Sequence, residues 1–106
     1  MNSQSVIKEL RAFVSERDWT QFHTTENLAK SISIESAELL ECFQWNNSPV
    51  MDNVRDELAD VLTYCLLLAD KLGDDPELLI LEKLEKTKLK YPVEKSRGRS
   101  NKYTEL

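Results

Sequence analysis

Glycine and proline are scarce in this chain of 106 residues, at two and three positions, and no stretch alternates apolar and polar residues as a half-buried strand does. An all-α fold in one domain is expected at this length and composition. No internal repeat and no glycine-rich phosphate loop is present. The single histidine, His23, leaves no Glu-x-x-His pair, which argues against a di-iron carboxylate bundle. No serine or cysteine stands beside a base, so covalent catalysis has no candidate nucleophile. The apolar run from Val61 to Ala69 is interrupted by Thr63, Tyr64 and Cys65 and falls far below the ~18 residues of a membrane span. Without a signal peptide at its start, the chain is expected to be cytoplasmic, with no membrane partner. Cys42 and Cys65 project onto apolar helix faces and read as reduced core thiols, a disulfide being the other reading.

Four helices can be placed from apolar spacing. The first is expected from about Ser5 to Arg17, carrying Val6, Ile7, Leu10, Phe13 and Val14. The second starts near Thr24 or Thr25 and continues to about Trp45, with Asn46-Asn47 as its stop. Ser48-Pro49 reads as the cap and first residue of a third helix, whose apolar face holds Val54, Leu58, Val61, Leu62, Cys65, Leu68, Ala69 and Leu72 and which ends at Gly73. Asp75-Pro76 opens the fourth, with Leu78, Leu81 and Leu84 as its ridge, and Tyr91-Pro92 closes it. Leu66 and Leu67 fall outside the arc facing the bundle and are expected to meet another subunit, with Leu79 and Ile80 adding to that surface. A homodimer or homotetramer is the anticipated assembly.

Two of these helices carry acids one turn apart, Glu35-x-x-Glu38 and Glu57-x-x-Asp60. At about 100° per residue, Glu35 falls between Leu28, Leu39 and Cys42, and Glu57 between Tyr64 and Leu68. Glu38 and Asp60 sit at the edges of the same apolar arcs. Carboxylates aimed inward need a positive partner, because removing a charge from water costs more than nearby dipoles return. An all-oxygen set suits Mg²⁺, with Mn²⁺ possible, rather than zinc. The alternative is neutralisation by Lys or Arg in structural salt bridges. Glu41 and Asp56 project to the same side as the outer members and are candidates for a second cation.

Charge is unevenly spread. Residues 1–82 hold 6 basic and 16 acidic side chains, whereas residues 83–106 hold 8 basic and 3 acidic. A cationic end beside an acidic centre fits a clamp for a small polyanion better than a nucleic-acid arm. The segment Arg17-Asp18-Trp19-Thr20-Gln21-Phe22-His23 gathers two aromatic rings and the histidine between helices. It reads either as a core plug or as a wall on which a nucleobase stacks. Continuing the second helix places Trp45 roughly 20° from Glu38, beside the acids.

The motifs Arg17-Asp18-Trp19-x-Gln21-Phe22-His23, Glu35-x-x-Glu38-Leu39-x-Glu41-x-Phe43-Gln44-Trp45, Glu57-Leu58-x-Asp60-Val61-Leu62-x-Tyr64, Lys88-x-Lys90-Tyr91-Pro92-Val93 and Ser96-x-Gly98 with Lys102-Tyr103 carry a resemblance. The chain resembles the MazG-like all-α nucleoside triphosphate pyrophosphohydrolases, and among them the dCTP pyrophosphatase family, from Arg17 almost to the end. The resemblance implies a four-helix bundle in residues 1–92 and a basic tail, 93–106, that completes a nucleotide site, reaching that of a neighbouring subunit. It implies Mg²⁺-dependent cleavage of a (deoxy)nucleoside triphosphate, dCTP or a modified relative, between the α and β phosphates. Glu35, Glu38, Glu57 and Asp60 would ligate the metal. Trp19, Phe22, His23 and Trp45 would surround the base. Tyr64, Lys83, Lys88, Tyr91, Arg97, Lys102 and Tyr103 would hold sugar and phosphates. Relatives often carry Asn where this chain has Lys86-Thr87, which leaves base preference open. Glu38 is the first choice for general base and Glu41 the second. A reading from another class is a non-catalytic helical interaction module with salt-bridged acids and a basic tail for RNA or protein.

Overall fold

The structure, a computed structural model, describes residues 2–106. Every regular element among them is helical: α1 (Ser3–Glu16), α2 (Thr25–Glu41), α3 (Met51–Lys71), α4 (Pro76–Lys90) and α5 (Val93–Ser96), with 3₁₀ turns at Thr20–Phe22 and Tyr103–Glu105. They form two compact units, one ending at Pro76 and the other covering Glu77–Leu106.

In the first unit α2 lies along α3, and α1 lies against α3. Leu28 from the start of α2 shares a cavity with Leu67 near the end of α3, so the two helices run antiparallel. Ile7, Val14, Leu28 and Ala69 are its buried apolar residues. Arg11 of α1 joins Asp70 of α3 through two side-chain nitrogens, its Nε lying 2.9 and 3.1 Å from the two carboxylate oxygens. That guanidinium holds the Asp70 carboxyl below its ordinary range.

Helix ends account for most differences from the expected boundaries. α1 begins at Ser3 because Asn2 Oδ1 accepts the backbone N–H of Ser5 at 3.0 Å. It ends as α3 does. The N–H groups of Asp18 and Trp19 return to the carbonyls of Ser15 and Val14, and those of Gly73 and Asp74 return to Asp70 and Ala69. Gly73 has the positive φ this closure requires, 78°, whereas α1 uses Asp18 at 54°. Asp tolerates that region better than most side chains.

α2 stops at Glu41, short of the expected Trp45. Its end tightens into three-residue bonds, from the N–H groups of Cys42, Phe43 and Gln44 to the carbonyls of Leu39, Leu40 and Glu41. Asn46 Oδ1 then accepts the Ser48 N–H at 2.7 Å, which occupies the proposed cap in a turn, and α3 starts at Met51 after Val50.

The apolar circumference of α3 is present, but its buried and free sides differ from those expected. Leu67 lines cavities with Val14 and His23 and faces its own unit, while Leu58, Leu62, Cys65 and Leu72 are exposed. α3 has neighbours on two sides, and the docking of α1 turns the Tyr64–Leu67 side inward. Cys65 is therefore a free exposed thiol rather than a core one, and Cys42 is a free, half-buried one.

In the second unit α4 spans the expected residues and α5 follows at Pro92. Tyr103 meets Tyr91 edge-on with ring centroids 6.0 Å apart, and Lys90 Nζ stands 4.9 Å over the Tyr103 ring. The basic segment is thus folded back onto α4's end.

Candidate metal centre

Glu35 and Glu38 lie one turn apart on α2, and Glu57 and Asp60 one turn apart on α3. Because the helices are neighbours, one oxygen from each of the four carboxylates comes within 4.8 Å of the others. Glu35 and Glu57 are half-buried, Glu38 and Asp60 exposed, as helical projection anticipates. The Oε2 atoms of Glu35 and Glu57 are buried without a hydrogen-bond partner. Among the described residues of the first unit no ammonium, guanidinium or imidazole group stands within 4.0 Å of any of these carboxylates; the ion pairs there join other acids. Among the described residues of that unit the salt-bridge alternative finds no basic partner.

Like charges at this spacing hold protons. The Glu35 carboxyl rises from 4.5 to about 7, first through proton sharing with the Glu38 carboxyl, then through burial and the charges of Glu38, Asp60 and Glu57. Glu57 is raised by burial and then by the charges of Glu38 and Asp60. Tyr64 is raised by burial and the charges of Glu35, Asp60 and Glu38. Buried oxygens lacking a donor, in an all-carboxylate set, are the chemistry of a hard divalent cation site. Glu41 and Asp56 are not among the converging carboxylates. Glu41 stands at the end of α2 beside a groove with Ala37, Leu40, Phe43 and Gln44.

Asp60 also belongs to a cleft of about 360 Å³ between α1, the turn after it and α3. Leu10, Phe13 and Val14 form one wall, Trp19 and His23 another, and Thr63, Tyr64 and Leu67 follow Asp60 along α3. Trp19 stands edge-on to Phe13 at 5.6 Å, and His23 faces Tyr64 at 6.5 Å. Acids and aromatic cleft are therefore contiguous through Asp60.

Of the aromatic sequence candidates in the first unit, two lie outside the cluster and the cleft. Phe22, 59% exposed, does not line the cleft, and Trp45, 88% exposed, lies beyond the end of α2, so the helical projection that set it beside Glu38 does not apply. Lys83, Lys88, Tyr91, Arg97, Lys102 and Tyr103 belong to the second unit, where Lys88 pairs with Glu85 at 3.0 Å. Leu10, Phe13 and Thr63 were missed by the sequence reading. Leu10 and Phe13 had a readable signal, since they share α1's apolar face, but nothing local distinguished a cleft wall from a core.

Known proteins match most of this chain. Residues 30–106 match the MazG-like family, a span that includes all four converging acids. dCTP pyrophosphatase 1 of Homo sapiens is 39% identical over 111 residues, and that of Mus musculus 37%; each match covers 94% of this chain. The chain spans 65% of the length of these curated relatives. The crystal structure of a pyrophosphatase from Archaeoglobus fulgidus DSM 4304 superposes with a TM-score of 0.78 at 42% identity, covering 84% of this chain and 91% of that one. With its paired acids on neighbouring helices and these matches along most of its length, the chain belongs to the MazG-like family.

Proposed function

We propose that this protein hydrolyses a (deoxy)nucleoside triphosphate, dCTP or a modified relative, between the α and β phosphates, releasing the monophosphate and pyrophosphate and so clearing unwanted nucleotides. The observation that carries the reading is the set of four converging carboxylates, two with a buried oxygen that has no hydrogen-bond partner outside the cluster, opening at Asp60 into an aromatic-walled cleft. Such a set repels a polyphosphate unless a cation intervenes. Glu35, Glu38, Glu57 and Asp60 would hold Mg²⁺, or Mn²⁺ in its place. The ion would neutralise the phosphates and draw electron density from the α-phosphorus.

The protein's own groups do the remainder. Trp19, His23 and Tyr64 line the cleft that receives the base, where aromatic stacking on a nucleobase contributes about 1–3 kcal/mol. Glu38, exposed at the edge of the cluster, accepts a proton from the attacking water as its oxygen bonds to the α-phosphorus. The bond to the bridging oxygen breaks, and pyrophosphate leaves with that electron pair. Glu41 lies outside the cluster and is the weaker choice for this role. Lys83, Lys88, Arg97 and Lys102, with Tyr91 and Tyr103, supply the cationic and hydroxyl-bearing surface for the phosphates and sugar. Chemistry of this type depends on positioned charge and needs no covalent nucleophile.

A homodimer or homotetramer is part of the same proposal, because Leu58, Leu62 and Leu72 form an exposed apolar stripe on α3. The deciding experiment is a panel of deoxynucleoside and ribonucleoside triphosphates, including base-modified ones, with Mg²⁺ and identification of products. Pyrophosphate with monophosphate is the expected pair. Orthophosphate with diphosphate refutes the bond assignment, and no turnover of any member refutes the function.

A further inference from the structure

The turn carrying Trp19 and His23 is fastened by side chains that touch neither the acids nor the cleft. At its entrance Asp18 adopts φ 54°, and Gln21 Nε2 donates both to the Asp18 carbonyl, at 2.9 Å, and to Asp18 Oδ2, at 3.0 Å. At its exit Asn27 Nδ2 donates to the carbonyl of Phe22 at 3.0 Å. Asn27 occupies the third position of α2, and its backbone N–H already donates to Thr24 Oγ1, the helix cap, at 3.1 Å. In the familiar capping arrangement a side chain at this position reaches back to the cap residue's own N–H. Here it reaches one residue further along the turn and grips a carbonyl. That carbonyl belongs to the peptide leading directly into His23.

We infer that Asn27 is a positioning residue for base recognition. By tying the Phe22 carbonyl to the first turn of α2, it sets the direction in which His23 leaves the 3₁₀ turn and hence its 6.5 Å approach to Tyr64 across the cleft. Trp19, whose N–H returns to the Val14 carbonyl, stands against Phe13 at the other end of the same turn, and its carbonyl accepts the Phe22 N–H at 2.9 Å. A wall fixed before substrate arrives loses less conformational freedom on binding than one ordered by it. This inference rests on the nucleotide reading above and assigns Asn27 no contact with substrate or metal.

Asn27→Asp separates positioning from structure. The substitution preserves size and the backbone bond to Thr24, and an acid in the first turn of a helix is favoured by its dipole. What it removes is the donor, setting a carboxylate oxygen against the Phe22 carbonyl. The melting temperature should change little. The dissociation constant for an α,β-imido deoxynucleoside triphosphate with Mg²⁺ should rise roughly fivefold, as loss of one neutral hydrogen bond implies. That for inorganic tripolyphosphate with Mg²⁺, which has no base, should not change. In protein labelled with 5-fluorotryptophan, the ¹⁹F resonance of Trp19, assigned through Trp19→Phe, should shift or broaden while that of Trp45 stays in place. Asn27→Ala gives the same comparison without an added charge. Equal weakening toward both ligands marks a structural role and overturns the inference, as does unaltered nucleotide affinity in both variants. A wild-type protein that binds neither ligand overturns the underlying function instead, a result that is read before any variant is made.

Discussion

Replacing Glu35 with Gln should stabilise the metal-free protein at alkaline pH and abolish its stabilisation by Mg²⁺. Four carboxylate oxygens lie within 4.8 Å of one another. Each pair of charges at that spacing repels by roughly 1 kcal/mol at the dielectric of water and about 3.5 kcal/mol at an effective protein value. Glu38 and Asp60 are exposed, so solvent screens the cluster and the net relief belongs near the lower figure, about 1–2 kcal/mol. For a domain of this size that raises the melting temperature by roughly 5–10 °C.

The pH dependence fixes the sign. Glu35 is raised from 4.5 to about 7, so between these values the native state holds a proton the unfolded chain has released. Metal-free stability therefore falls as pH rises through that window and levels off above it. Glu35→Gln lacks this contribution. Its melting curve should coincide with wild type near the low end of the window and lie above it at the alkaline end. Mg²⁺ at a hundred times its dissociation constant should add about 2.7 kcal/mol to the wild type and little to the variant. Thermal melts followed by circular dichroism, with EDTA and with Mg²⁺, on both sides of the window provide the measurement. A Glu35→Gln protein that melts below wild type at alkaline pH in EDTA would show that the carboxylate has a stabilising partner, and the reasoning would fail.

Glu57→Gln should reduce turnover by at least roughly 100-fold while the circular dichroism spectrum keeps its helical form; retained activity would remove Glu57 from the metal set. Trp19→Ala should weaken nucleotide binding by about 1–3 kcal/mol, read by calorimetry with a nonhydrolysable triphosphate, and leave tripolyphosphate binding unaltered. Leu62→Lys places a charge on an exposed position of α3, so the subunit fold should persist while the mass from light scattering drops to that of a smaller assembly; a monomeric wild type would refute the apolar stripe as an interface.

The acid pairs were legible because both their spacing and their orientation follow from helical period alone. Four residues read from two helices converged as projected, since a three-residue step on each helix faces the neighbour once the apolar arcs meet. The continuation of α2 to Trp45 fails for a reason of the same kind. Its projection assumed that α2 continues, but the terminal three-residue bonds and the Asn46 turn depend on competition among local hydrogen bonds, which periodicity does not report. Leu67 faces its own unit and Cys65 is exposed, against expectation, because a single helix's apolar arc does not say which neighbour covers which part. The docking of α1, pinned by Arg11 and Asp70, 59 residues apart, decides that, and nothing local foretells such a pairing.

The arrangement along α3 connects the two halves of the site. Glu57 and Asp60 lead into Thr63, Tyr64 and Leu67 at helical spacing, so the helix that offers half of the carboxylates also forms one side of the cleft. From Glu57 to Tyr64 the axis advances by roughly 10 Å at 1.5 Å per residue. A continuous helix holds this separation without a hinge. The opposing wall is different: Trp19 and His23 stand on a turn whose direction depends on side-chain hydrogen bonds to backbone. Cation affinity should therefore follow substitutions in α2 and α3, while base affinity can be altered from the turn alone. Glu57→Gln and Asn27→Asp test that separation from its two sides. If Asn27→Asp weakened Mg²⁺ binding as much as nucleotide binding, the turn and the acids would be one mechanical unit, and the division between a rigid phosphate end and an adjustable base end would be wrong.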